Sequence, residues 1–325
     1  MSALNHRLRA LGSVIVVMAL LAPLAPALAQ ADERFWLAGR YDRNHVIVYF
    51  EAVKLKHTLP RDSSAIIAPP IAEGFFSPVQ VSPAYVDRFR KPGMERFKIG
   101  DRYDLLLGDG SVATVTLTKL VGCETDEDVG NDSYIGALAR IESADTTLLA
   151  RKYFALRRLE SFRIEPARAA ASRLEMEIRP VDSAFTARIA QVIQRALDTD
   201  TAYTLGVRRM SKLTPVSIDR VQSFALADGS ARQFVKATFA TGEVCRVDAF
   251  VKPEPVARVL AHGMSYCLNN AAGAALVNVL DLGRGRTGLI FEGFTGDGHE
   301  VRLVEYVDGV SLHRLRILQC ISAGE

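Results

Sequence analysis

The chain has 325 residues, of which 49% are hydrophobic and 24% charged, and its formal net charge is +3. These values are ordinary for a globular protein, and so small a charge argues against binding to nucleic acid or to an anionic membrane surface. The length suits one large domain or two domains of ordinary size.

The first 29 residues have the pattern of a secretory signal peptide. Arg7 and Arg9 precede an uncharged stretch that ends in Ala27-Leu28-Ala29, and signal peptidase accepts small residues at those positions before its cut. Cleavage after Ala29 takes the basic count from 40 to 38 against 37 acidic residues, so the net charge falls from +3 to +1. The pattern predicts a periplasmic or extracellular protein that contacts a membrane only during export.

An uncleaved membrane anchor is the alternative interpretation of this segment. Residues 10–29 are long enough to span a bilayer. Pro23 and Pro26 argue against a continuous helix, because proline lacks the backbone N–H and clashes with the preceding turn. No cysteine stands at the predicted new N-terminus, which excludes a thioether-linked lipid anchor at that position.

The N-terminal part of the mature chain, residues 30–165, is predicted to be a β-rich domain. Residues 45–53 are rich in β-branched and aromatic side chains, as strands are. Asp109-Gly110 stands between two apolar runs, which is the strongest short-range signal for a hairpin. Residues 134–142 are predicted to add a further strand.

Helices are predicted only in the C-terminal part of the chain. Residues 165–180 are rich in Ala and Arg and predict a connector or a short helix. In residues 182–198 the apolar positions recur in steps of three and four, which predicts an amphipathic helix. Residues 252–282 also show helical spacing, interrupted by glycines, and predict two short helices or one helix with an extended piece.

Two more hairpins are predicted in the same part, at Asp228-Gly229 and at residues 296–298. A regular alternation of strands and helices is missing, which argues against a doubly wound sheet. The predicted fold class is therefore α+β, mainly antiparallel hairpins with a few packed helices, with a second domain at residues 180–325.

Four cysteines lie in the mature chain. An even number in an oxidising compartment favours disulfides, and four cysteines allow three connectivities, among which the sequence does not choose. There is no C-x-x-C pair, which leaves a zinc ribbon or a thioredoxin-like site without support. The alternative is that some of them are buried small apolar residues. The disulfide candidates are Cys123, Cys245, Cys267 and Cys320.

Two short motifs suggest ligands, but their context is unfavourable. Residues 283–288, GRGRTG, match the dinucleotide-binding pattern, yet a strand-like run follows where a helix is required, so a Gly/Arg-rich turn is predicted instead. The acidic residues 124–132 supply oxygen ligands for Ca²⁺ but do not fit the EF-hand template. A solvated acidic loop is therefore predicted, with Ca²⁺ binding as the alternative. No cofactor and no metal site are predicted.

The remaining candidates for chemistry are single residues. The mature histidines form no H-E-x-x-H or H-x-H pair, and His262, close to a glycine and a cysteine, is the candidate catalyst among them, although a lone histidine is more often a surface or hydrogen-bonded residue. Trp36 is interpreted as a core residue of the first strand, with an exposed recognition patch as the alternative. The mature histidines are His45, His57, His262, His299 and His313.

No serine-hydrolase elbow of the form G-x-S-x-G is present, whereas catalytic carboxylate pairs leave no local motif. The sequence therefore predicts an exported bacterial envelope or extracellular protein that is a non-catalytic binding or structural module, with another envelope protein as the candidate partner. The alternative is a secreted hydrolase that uses Asp/Glu or His chemistry.

Overall fold

Antiparallel strands make up most of this chain. The computed structural model describes residues 34–54, 77–89, 96–124, 132–142, 151–158, 183–200, 211–242, 244–253, 255–266, 274–295, 298–308 and 315–324. By its internal contacts the chain divides into Met1–Arg34 and Phe35–Glu325, and all of the architecture below belongs to the second unit. The predicted signal peptide lies outside the described residues.

The first part of the chain forms a closed six-stranded barrel. Its strands run in the order β5-β4-β7-β1-β2-β6, and β6 pairs back onto β5 to close the ring. β3 pairs with the far end of β5. The elements are β1 (Phe35–Arg40), β2 (His45–Lys54), β3 (Ser77–Gln80), α1 (Pro83–Phe89), β4 (Arg102–Leu106), β5 (Val112–Glu124), β6 (Asp132–Ile141) and β7 (Tyr153–Arg158).

Helix α2 (Ser183–Thr199) and two four-stranded antiparallel sheets follow. The outer sheet consists of β8 (Ser211–Ala225), β9 (Ala231–Gly242), β10 (Val244–Lys252) and β11 (Arg258–Tyr266). The central sheet consists of β12 (Ala275–Gly283), β13 (Arg286–Thr295), β14 (Gly298–Tyr306) and β15 (Arg316–Gly324). In each sheet the strands pair in chain order, as in a meander.

Aromatic side chains fill the barrel. Trp36 is 3% exposed, and its ring meets Phe50 and Tyr103 edge-on at 5.8 and 5.9 Å. Tyr85 and Val86 of α1 belong to the same core, so this short helix packs on the barrel interior. The prediction that Trp36 is a core residue is confirmed.

The layers are stacked in the order α2, outer sheet, central sheet, barrel. Ile189, Ile193 and Leu197 of α2 pack on one face of the outer sheet. The other face packs on the central sheet through a cluster that includes Phe250 and Phe291. The far face of the central sheet packs on the outside of the barrel in a third apolar cluster. Each sheet is therefore sandwiched, and the central sheet is apolar on both faces.

Two of the predicted Asp-Gly hairpins form the same turn. Asp109 Oδ1 accepts from the backbone N–H of Ser111 at 2.9 Å, and Asp228 Oδ1 accepts from that of Ser230 at 2.8 Å. The glycine after each aspartate has a φ of +83° or +80°, which an L side chain rarely adopts. Both turns follow the pattern L-x-D-G-S, and both hairpin predictions are confirmed.

The α+β class predicted from the sequence is wrong, because the chain is mostly β and the described residues contain only two helices. The helix predicted at 182–198 is confirmed as α2. In the described part of residues 252–282 the predicted helices are replaced by β11 and most of β12. A strand buried on both faces is apolar at consecutive positions, so Val279 and Leu280 of β12 produced a spacing that also fits a helix.

The predicted division at residues 165–180 lies outside the described residues. The barrel strands precede it, and α2 with both sheets follows it. The internal contacts group Phe35–Glu325 as one compact unit.

Candidate functional site

The outer sheet carries a row of charged residues across its strands. Arg220 of β8 lies opposite Lys236 of β9, Lys236 opposite Asp248 of β10, and Asp248 opposite Gly263 of β11. Residues directly opposite in an antiparallel sheet share one face. We call Arg220, Lys236, Asp248 and Arg246, which lies on the same face two positions before Asp248, the charged row.

Strand alternation places these charges on the face that packs on the central sheet. In β9, Val235 and Ala237 face α2, so Lys236 between them points the other way. The next position along that face, Phe234, is buried against the central sheet. On this face the charged row therefore lies next to buried aromatic residues such as Phe234. The residues of the row are themselves half-buried.

The environment shifts the titration of two residues of the row. Burial raises the pKa of the Asp248 carboxyl to about 6, although Lys236 and Arg246 act in the opposite direction. Burial also lowers the pKa of the Lys236 ammonium, with Asp248 opposing the shift. Nearby, Thr238 Oγ1 donates to Asp219 Oδ2 at 2.8 Å, and Asp219 is exposed. Two cationic side chains, Lys236 and Arg246, thus act on one partly desolvated carboxyl group, and Arg220 acts on Lys236.

His262, the candidate catalyst of the sequence analysis, lies on the opposite face of the outer sheet. Its Nε2 is 2.8 Å from Oδ2 of Asp200, the residue after α2, and both side chains are about a quarter exposed, at 22% and 28%. His262 is opposite Ala249, which belongs to the core under α2. His262 and Asp248 therefore do not meet. Within the described part of the chain, Asp200 is the hydrogen-bond partner of His262, and no hydroxyl or thiol donates to it.

Most other well-formed ion pairs of the described residues join structural elements. Lys152 Nζ lies 2.8 Å from Glu292 Oε1 and links the barrel to the central sheet. Arg232 binds Asp308 and links the outer sheet to the residues after β14. Arg157 and Asp104, both buried, pair at 3.1 Å between β7 and β4. The first two pairs therefore link one layer to the next, and the third links two strands within the barrel.

The predicted disulfide is not seen among the residues whose side chains the structure describes. Cys320 is a free thiol in β15. Its Sγ donates to Glu300 Oε1 at 2.9 Å, and burial raises the pKa of this thiol to about 12. Cys123 lies in β5 and Cys245 in β10, whereas Cys267 is outside the described residues. Any pairing among these three stays a prediction.

The GRGRTG segment forms the turn between β12 and β13. Gly283, Arg284 and Gly285 all have positive φ, at +84°, +57° and +74°. The segment leads directly into a strand, so no helix N-terminus is available to meet a pyrophosphate. The prediction of a Gly/Arg-rich turn is confirmed.

The acidic loop and several histidines lie largely beyond what the structure describes. Of residues 124–132 only the two ends are described, at the end of β5 and the start of β6. His45 pairs with Asp42 at 2.9 Å. His299 lies in β14, and His57 and His313 are outside the described residues. The described residues contain no group of three or more His, Cys, Asp or Glu arranged to hold a metal ion.

The charged row is not evident from the sequence. Its signal is a single charge inside an apolar run, as Lys236 is in FVKATF and Asp248 in RVDAFV. A charge at an alternate position of a strand normally indicates a solvated face. Here that face is partly covered, because the outer sheet packs on both sides.

No family model, curated protein or solved structure matches this chain. Among the described residues, no helix has the length and apolar character needed to cross a membrane.

Proposed function

We propose that this chain is an exported, non-catalytic binding protein that acts in the periplasm or outside the cell after loss of residues 1–29. The observation that carries the proposal is the charged row. Arg220, Lys236 and Asp248 are held side by side on three paired strands, half-buried.

The free-energy cost of the row supports a role in recognition. Taking charged groups out of water is costly, and apolar replacements of buried ion pairs are often neutral or stabilising. The same strands carry valines and phenylalanines at neighbouring positions, so an apolar residue would fit the local pattern. Perturbed titratable groups in such places are over-represented at functional sites.

The packing of α2 and the central sheet against the strands of the charged row favours ligand binding. β9 and β10 are paired on both sides and β8 forms the edge of the sheet, with α2 packed beneath them and the central sheet packed on the same face further along. Side chains on a rigid sheet lose little freedom when a ligand binds, which favours affinity.

The test compares the wild-type protein with two arginine variants. Arg246→Gln removes a charge of the row, and Arg195→Gln removes the same charge from the exposed side of α2. Each is heated with fractions of envelope material from the native host, and the unfolding temperature is recorded, because a ligand of the folded state raises it. We expect a fraction that stabilises the wild type and R195Q but not R246Q. Equal stabilisation of all three, or of none, contradicts the proposal.

A secreted hydrolase is the second candidate, and the His262–Asp200 pair is the observation that favours it. A carboxylate that orients a histidine is a recurring arrangement for general-base catalysis. The matched control is His45, which also pairs with an aspartate, at 2.9 Å.

Initial rates on chromogenic esters, phosphate esters and glycosides distinguish the two candidates. The binding proposal predicts rates at background for the wild type, His262→Gln and His45→Gln alike. Saturable hydrolysis that H262Q abolishes and H45Q retains would establish the hydrolase instead.

A further inference from the structure

We propose that the charged row binds a phosphate-type oxyanion, with Arg220, Lys236 and Arg246 as its cationic contacts. This inference rests on the binding function proposed above and names the ligand class for the same residues.

The register brings the three cations within reach of one small anion. Arg220 and Lys236 are directly opposite across β8 and β9, where Cβ atoms lie about 4.5–5.5 Å apart. Arg246 shares the face of Asp248 two residues away, at about 7 Å along the strand. Long basic side chains cover that separation. An anion above Lys236 would therefore have Arg220 on the neighbouring strand β8 and Arg246 diagonally across on β10, where it is opposite Thr238.

The charge of this face is positive. The row holds three basic groups and one carboxyl, and Asp219 beside it adds a second carboxylate. The sum is +1 with both carboxylates ionised and +2 with a proton on Asp248. Either value attracts a phosphate anion. Guanidinium groups also present paired N–H donors that fit phosphate oxygens.

The fourth strand places no side chain opposite Asp248. β11 contributes Gly263 to this row, and a glycine has no side chain to cover its neighbour. The residues of the row keep partial exposure to solvent. A small anion can therefore approach from the β11 side of the face.

Calorimetric titration of the mature protein with inorganic phosphate at neutral pH tests the inference. Arg246→Gln and Arg220→Gln should each raise the dissociation constant by about tenfold, because each removes one favourable charge. Asp248→Asn should lower the dissociation constant, because Asp248 is the member of the row that repels an anion. Arg195→Gln should leave the dissociation constant unchanged.

The opposite sign of the Asp248→Asn effect separates binding from misfolding, since a damaged fold weakens binding. The inference is overturned if the wild type shows no saturable binding, if D248N binds no more tightly, or if acetate binds as tightly as phosphate. If the wild type does not bind phosphate but envelope material still stabilises the wild type and not R246Q, an oxyanion ligand is rejected. The proposed binding function is then retained. Failure of both experiments removes the proposed function too.

Discussion

Replacing Asp248 by asparagine is predicted to flatten the dependence of stability on pH. Burial raises the pKa of this carboxyl from 3.8 to about 6 in the folded protein. Between these two values the unfolded chain has released the proton and the folded chain still holds it. The stability that Asp248 contributes is therefore fully present below the pKa of 3.8 in the unfolded chain. It is lost as the pH rises through the pKa of about 6 in the folded protein.

The size of the effect follows from the shift. A difference of about two pKa units, at about 1.4 kcal/mol each, amounts to on the order of 3 kcal/mol of unfolding free energy. The remaining charges of the row act in both proteins, so the difference between wild type and D248N isolates Asp248. This difference should decline by that amount between about pH 4 and about pH 7.

Urea unfolding followed by far-ultraviolet circular dichroism at several pH values measures this difference. Asp228→Asn is the control with the opposite sign, because hydrogen bonds from Ser230 hold the pKa of Asp228 below its usual range. The unfolding free energy of D228N should therefore approach that of the wild type as the pH falls. If the difference in unfolding free energy between wild type and D248N stays constant across this pH range, the raised pKa of the buried Asp248 carboxyl is refuted.

Three further predictions concern the barrel and the cysteine. Gly136→Ala should destabilise the protein by on the order of 3 kcal/mol in thermal unfolding, because the added Cβ would lie 2.2 Å from the carbonyl oxygen of Val48; a stability within error of wild type contradicts the packing. Asp104→Ala should cost about 3–5 kcal/mol in urea unfolding by leaving the Arg157 charge buried, and adding Arg157→Met should recover part of that loss. Cys320, whose thiol pKa is raised to about 12 by burial, should be alkylated slowly at mildly alkaline pH and rapidly after unfolding without reductant, as peptide mapping would show.

The hairpins were predictable because their signals are local. An Asp-Gly pair requires a positive φ at the glycine, and the apolar runs on each side define the strands that the turn joins. The strand at 45–53 is likewise evident from its β-branched and aromatic composition. The helix at 182–198 is evident from the period of its apolar positions.

The stacking of layers was not predictable from local pattern. Closure of the barrel depends on β6 pairing with both β2 and β5, a choice that no short window of residues contains. Because the central sheet is covered on both faces, β12 lacks the strict alternation of a half-exposed strand, and its apolar spacing also fits a helix.

The candidate site was hidden for a related reason. Its members lie on β8, β9 and β10, and only the register between these strands brings them together. His262 was singled out by its neighbours in sequence, and the structure gives it a partner, Asp200, that is 62 residues away. The sequence identifies His262 as a candidate, but it does not identify Asp200 as its hydrogen-bond partner.

Export of the mature chain is the central claim, and the mass of the intact protein from its native host tests it most directly. The protein should be recovered from the periplasm or the medium, with Gln30 as its first residue and without residues 1–29. Recovery in the cytosol, or with Met1 through Ala29 still attached, would contradict it.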